Sequence, residues 1–235
     1  MKSISDRVLL QRKASLAHIA SLGGLVVLIV AVAFSLILPS EITLLEALLV
    51  AGFLISVFGV YYANRWVKKP RPEDVLDKAL GSFNDYYRLY HYLSPCDHLL
   101  LTPSGLVIFE AVNLDGQFSY SGGRWRKRFS MNRALRYIFD ERLGDPVARA
   151  QASAREVGRR IARRLEGGGK VPVSAVVVFV HPAAEINVEK PPIPVVKPKN
   201  LNKQVSRKAA PLPNEVYQTL QTVLDEVIAS PGKRL

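Results

Sequence analysis

Two apolar runs near the N-terminus constrain this chain more than any other feature. Ile19 to Leu38 is twenty residues without a charge. As a helix rising about 1.5 Å per residue it spans roughly 30 Å, the thickness of a bilayer's hydrocarbon core. A second run, Leu44 to Ala63, holds one acid, Glu46, in its first turn. There the acid can stay hydrated and favour the positive end of the helix dipole. Pro39-Ser40-Glu41-Ile42-Thr43 joins the runs, a link so short that the helices must be antiparallel. Small residues four apart, Ala20/Gly24 and Gly52/Ser56, would let them approach closely. Tyr61, Tyr62 and Trp66 suit an aromatic belt at the exit. A signal peptide has an apolar region of only ~7–15 residues and would leave the second run unexplained.

Charge sets the expected orientation. Arg7, Arg12 and Lys13 precede the first span, Arg65, Lys68, Lys69 and Arg71 follow the second, and the link has no Lys or Arg. The positive-inside rule then predicts a two-pass protein with both termini cytoplasmic, at the plasma membrane if the cell is prokaryotic. Only Ser35 and Ser56 bring polarity to mid-span, so the hairpin reads as an anchor rather than an intramembrane site. The chain carries a net charge of +12. Residues 1–69 hold seven Lys/Arg and three acids, which leaves 25 basic and 17 acidic residues beyond them. The remainder is basic in its own right and favours an anionic partner, nucleic acid or anionic lipid headgroups. The alternative is an ordinary solvated surface. The single cysteine, Cys96, excludes a disulfide within the chain.

Beyond the hairpin, Pro70 and Pro72 discourage a continuous helix out of the membrane. Acids Glu73, Asp74 and Asp77 open a helix over 73–83. Strands are predicted at 86–93, 97–101 and 106–112, and Gly122-Gly123 marks a hairpin between 117–121 and 124–129. A helix over 146–165 follows, with Asp145 as cap, Pro146 first, an apolar face and six arginines elsewhere. Gly167-Gly168-Gly169 ends it. Val173 to Val180 reads as a buried strand and 214–229 as a last helix, and the stretch 182–199 between them is rich in Pro and Lys. Residues 131–144 stay ambiguous. The order implies an α/β fold, a mixed central sheet flanked by helices, after the two-helix hairpin. The chain divides as 1–69 (N-terminal segment and anchor), 70–205 (main domain) and 206–235 (C-terminal helix and tail).

One pair of residues could carry chemistry. If Leu101 and Leu106 flank the turn at 102–105, antiparallel register sets Asp97 opposite Glu110. Two carboxylates at a strand end can hold Mg²⁺ through oxygen, and the ion can activate water for phosphodiester attack. Alternatively, Asp97 caps a turn and Glu110 pairs with an arginine.

The runs CDHLLLTPSGLVIFEAVNLDGQFSYSGGRW, DPVARAQASAREVGRRIARRL and VVVFVHPAAEINV together resemble the nuclease-related domain, NERD, over about 72–205. That family is similar to the PD-(D/E)XK nucleases. The resemblance implies a restriction-endonuclease-like mixed sheet with helices on both sides. It implies Asp97 and Glu110 as metal-binding and catalytic acids, and Glu73 as the helix acid. Two departures stand out. The family's Glu-x-Lys reads Glu110-Ala111-Val112, which removes the lysine that would orient water and offset transition-state charge. The family's Asn-Pro-x-x-Gln reads Asp145-Pro146-Val147-Ala148-Arg149, and Gln151 falls about 200° further round the helix.

Whether the chain is an enzyme is left open by those losses. One reading is a degenerate nuclease fold that binds nucleic acid through Arg124, Arg126, Lys127, Arg128, Arg149 and Gln151, with Trp125 stacking on bases. A second is a non-catalytic membrane scaffold on anionic lipid with a protein partner of unknown identity. A third is an active nuclease in which Lys127 or Arg126 replaces the lysine. Mg²⁺ is the implied cofactor, retained or lost with it. His98 also fits the family pattern but reads as structural; His91 and His181 look isolated.

Overall fold

The computed structural model describes residues 1–5, 7–37, 42–67, 69–128, 143–165, 171–206, 210–229 and 235. Two compact units emerge. One gathers Arg7–Lys69 with Phe129–Arg142; the other gathers Met1–Asp6, Pro70–Arg128 and Leu143–Leu235.

In the first unit, α1 (Arg7–Ile37) and α2 (Ile42–Trp66) contain both apolar runs. Each is long and apolar enough to cross a membrane, and the pair is consistent with a transmembrane hairpin. Large apolar side chains face outward, with Ile19 68% and Leu36 81% exposed. Such a surface is stable only in lipid or under another apolar layer. The helices meet through small residues. A Cβ on Gly24 would lie 2.9 Å from Ser56 Cα, and one on Gly59 would lie 2.7 Å from Ser21 Cα. Gly52 faces Leu28, and Ala17 and Ala31 are fully buried. The expected roles of Gly24, Gly52 and Ser56 hold, because van der Waals packing is the main attraction left to helices in lipid. The 38–41 part of the link lies outside the described residues, as does most of the ambiguous 131–144 stretch and the glycine run at 167–169.

The second unit holds a six-stranded mixed sheet and a three-stranded sheet. The larger one runs in the order β1 (Lys2–Ser5), β2 (Arg88–His91), β3 (His98–Thr102), β4 (Gly105–Val112), β7 (Val173–Phe179) and β9 (Val195–Val196). β5 (Gly116–Ser121) lies between β6 (Arg124–Lys127) and β8 (Ala184–Val188) in the smaller one. Along β4, side chains alternate between two cores, as a period of two requires. Leu106, Ile108 and Val112 join one core, Phe109 the other. The first core is covered by α4 (Pro146–Arg164) and α6 (Asn214–Ala229), the second by α3 (Pro72–Leu80) and α5 (Leu201–Val205). The expected mixed α/β sheet with helices on both faces is therefore the observed one.

Residues 2–5, grouped with the anchor by sequence, form β1 and pair in parallel with β2, Lys2 opposite Arg88 and Ser5 opposite His91. The Pro- and Lys-rich stretch 182–199 contains β8 and β9. The C-terminal helix packs into the first core through Tyr217, Leu220, Leu224 and Val227. Asp225 fastens it by accepting from Arg88 Nη1 at 2.7 Å and Tyr90 Oη at 2.8 Å.

The hairpin geometry gives a paired test. Nothing lies within 4 Å of a Cβ added to Gly23, whereas one on Gly24 meets Ser56 backbone. Gly24→Leu should lower the thermal stability of the detergent-solubilised protein by about 1–3 kcal/mol. Gly23→Leu should leave it near wild type, and equal melting of the two variants would refute the packing.

Candidate functional site

The turn at Pro103-Ser104 sets the register of the site. Thr102 pairs with Gly105, Leu101 with Leu106 and His98 with Phe109. Thr102 Oγ1 accepts from Ser104 N at 3.2 Å and donates to Gly105 O at 2.9 Å, which closes the turn. The ladder ends at His98, and its register is the one expected from Leu101 facing Leu106 across the turn. Asp97 is exposed and Glu110 half-buried. Asp97 also follows a loop that begins at Tyr92, held at φ 62°, and includes a cis Ser94–Pro95 peptide. Tyr92 N donates to Asp97 O at 2.5 Å.

Glu110 shares its face of β4 with Ile108 and Val112, and α4 covers that face. Arg149, in the first turns of α4, donates from Nε to Glu110 Oε1 at 2.7 Å and from Nη1 to Leu143 O at 2.9 Å. Local sequence holds it there. Asp145 caps the helix by accepting from Ala148 N at 3.0 Å, and Pro146 occupies the first helical position. Val112, where the family pattern has lysine, is 4% exposed and part of the core. Asn113 follows it and donates to Pro70 O at 2.9 Å, tying the entry of the domain to the end of β4.

Glu73 is buried on α3 and accepts from Tyr92 Oη at 2.8 Å. Burial, then the Glu73 carboxylate, push the Tyr92 phenol well above its ordinary range. Burial likewise pushes the Cys96 thiol up, helped by Asp97, so Cys96 is not an activated nucleophile. Beside them lies a buried relay that sequence reading missed. His91 Nδ1 is 2.8 Å from His98 Nδ1, and His91 Nε2 is 3.2 Å from Asp77 Oδ1. His91 is therefore not isolated. The two imidazoles sit directly opposite each other in the β2–β3 ladder. The carboxylate accepts from His91 Nε2–H, so a neutral His91 offers Nδ1 as acceptor to His98 Nδ1–H. Burial, and next the charge of His91, lower His98 well below 6.5. Asp77 is raised by burial, but bonds from His91 and Ser3 outweigh this and lower it overall.

The basic residues distribute as follows. Arg124, Arg126 and Arg128 are exposed, and Arg128 Nη1 donates to Gln117 Oε1 at 3.3 Å. Lys127 Nζ lies 5.8 Å over the Phe118 ring. Trp125 packs against Tyr120 and Phe179, centroids 5.1 and 5.6 Å away. The half-buried ring packs on the edge of the first core. On α4, Arg155 and Arg163 are exposed, Gln151 is half-buried, and Arg160 Nε donates to Glu156 at 2.6 Å in an i,i+4 pair.

With this geometry in place, residues 68–180 match the family model of the nuclease-related domain. The chain carries a NERD domain. No curated protein and no solved structure matches it. The matched NERD region ends at Val180, before β8, and so covers less than the resemblance over 72–205 suggested. A nuclease-like site implies a divalent ion, and the side chains present do not fit one. Glu110 is engaged by a guanidinium and Glu73 by a phenol. Among the described residues no three His, Cys, Asp or Glu side chains are grouped to hold a metal.

The relay makes stability pH-dependent. Above about pH 6.5 His98 is neutral whether folded or unfolded. As pH falls below that value the unfolded chain takes up a proton that the folded one refuses, so stability falls by up to about 1.4 kcal/mol per pH unit. Thermal melts of the solubilised protein between about pH 7.5 and 5.5 should show this loss, and His98→Gln should flatten it by removing the titrating ring. Parallel slopes for the two proteins would exclude His98 as the source.

Proposed function

We propose that this protein is a membrane-tethered NERD protein whose domain binds nucleic acid without efficient cleavage. The observation that carries the second half is Val112. The position that would hold the lysine is filled by a core side chain, and Glu110 faces Arg149 instead. A site with no cation poised beside attacking water loses the largest single source of transition-state stabilisation. Asp97 and Glu110, with Glu73 on its helix, are remnants of the nuclease constellation in this reading, and Mg²⁺ is not required.

Binding rests on the charge surplus and on exposed Arg124, Arg126, Arg128, Arg155 and Arg163. Guanidinium groups suit phosphate oxygens, and releasing counterions from the nucleic acid drives association. The hairpin spans the bilayer, and the surplus of basic residues at both of its ends supports a cytoplasmic domain. The full chain in neutral-lipid nanodiscs should bind DNA or RNA oligonucleotides with affinity that falls steeply between about 50 and 200 mM salt. Arg124→Ala with Arg126→Ala should lower the log–log salt slope by about 0.9 per lost duplex-phosphate contact. No binding at the low-salt end would eliminate the reading.

A second reading is a scaffold on anionic lipid, favoured by exposed Lys69 directly after α2. A third is an active nuclease with a displaced lysine. Incubation with Mg²⁺ or Mn²⁺ separates it: Glu110-dependent cleavage, abolished by Glu110→Ala, would replace the proposal with that reading.

A further inference from the structure

Arg149 stands where helix electrostatics do not favour it. The N-terminal end of a helix carries partial positive charge, and cations are stabilising at the other end. Yet its guanidinium is held at two points, Glu110 Oε1 at 2.7 Å and Leu143 O at 2.9 Å. The backbone makes room for it as well. Gly144 has φ +56°, and a Cβ added there would lie 2.9 Å from Arg149 Nη1. Glycine, cap and proline at 144–146 thus form a seat for one guanidinium against one carboxylate.

We infer that Arg149 is the resident cation of this site, occupying on Glu110 the place a divalent ion would need, so that the site excludes metal as long as the arginine is there. The inference rests on reading Glu110 as the remnant of the nuclease site. Three properties of the group support it. A guanidinium is never deprotonated in a protein, so alkaline pH does not vacate the seat. Its bond to the carboxylate is charge-assisted, and the second bond, to Leu143 O, holds the guanidinium in place beside it. A hard divalent cation also needs several oxygen ligands and is repelled by a fixed positive charge in contact with one of them. Arg149, at the place of the glutamine in the family pattern, is here the counter-ion of Glu110.

The test uses Mn²⁺ alone, with no nucleic acid, on the full chain in detergent, with free Mn²⁺ followed by electron paramagnetic resonance. Wild type should show no Glu110-dependent binding up to about 1 mM. Arg149→Gln should bind Mn²⁺ roughly tenfold tighter or better, and Glu110→Gln in that background should abolish the gain. Arg149→Lys, which keeps the charge, should stay with wild type. Binding by wild type that Glu110→Gln removes would overturn the inference. So would a folded Arg149→Gln protein without the gain, and Arg149→Met carries the same comparison if the glutamine variant does not fold. Failure of oligonucleotide binding would sink the proposed function and leave this result untouched, while Mn²⁺ binding by wild type would sink the inference whatever the oligonucleotides do.

Discussion

Four residues of parallel pairing, Lys2–Ser5 against Arg88–His91, tie the chain upstream of the apolar hairpin to the sheet downstream of it. Parallel neighbours need a long crossover between them. Here the crossover is the whole hairpin with α3 after it. The pairing extends beyond the ladder: Lys2 N donates to Tyr87 O at 3.1 Å, and Ser3 bonds the Asp77 carboxylate. Asp77 in turn meets His91, which meets His98, the residue after Asp97. The strand that leads into the first apolar helix is thus joined to the strand end where the candidate carboxylates lie. The hairpin is an insertion in a domain, with chain of that domain on both sides of it.

The site at that strand end follows from how β4 is buried. Apolar on both faces, it leaves one half-buried acid, Glu110, and an unpaired charge there would be costly. A nuclease would answer that cost with a metal ion and a lysine. This chain answers it with Arg149 from α4 and places Val112 in the core. In the proposed reading, this arrangement keeps the scaffold of the fold and its basic exterior without a cation next to attacking water. A tethered protein built this way can hold an anionic polymer at the membrane, which is the reading the charge distribution supports.

How much of this is legible in the sequence depends on range. The hairpin helices and the Pro146–Arg164 and Asn214–Ala229 helices are carried by composition and local periodicity, and are seen where expected. The Leu101–Leu106 register is carried by a turn that spans a few residues. β1 is not legible: Lys-Ser-Ile-Ser has no apolar alternation, and its partner lies more than eighty positions away. β8 escapes for a related reason, since only Ala184 of its five residues is buried. The departure at Arg149 stands out against the family pattern, but its bond to Glu110 arises only when α4 packs on β4. Trp125 shows the converse. Its neighbours Arg124 and Arg126 suggest a surface platform, while strand alternation turns the indole inward onto Phe179.

If the hairpin interrupts one domain, its two ends lie on the same side of the bilayer. Single cysteines test this in inside-out and right-side-out vesicles with a membrane-impermeant maleimide, against a background in which Cys96 is buried. Lys2→Cys and Asp85→Cys, both at exposed positions, should react from one side, and Ser40→Cys, in the link, from the other. Reaction of Lys2→Cys and Asp85→Cys from opposite sides would contradict the account, because no strand can pair across a membrane.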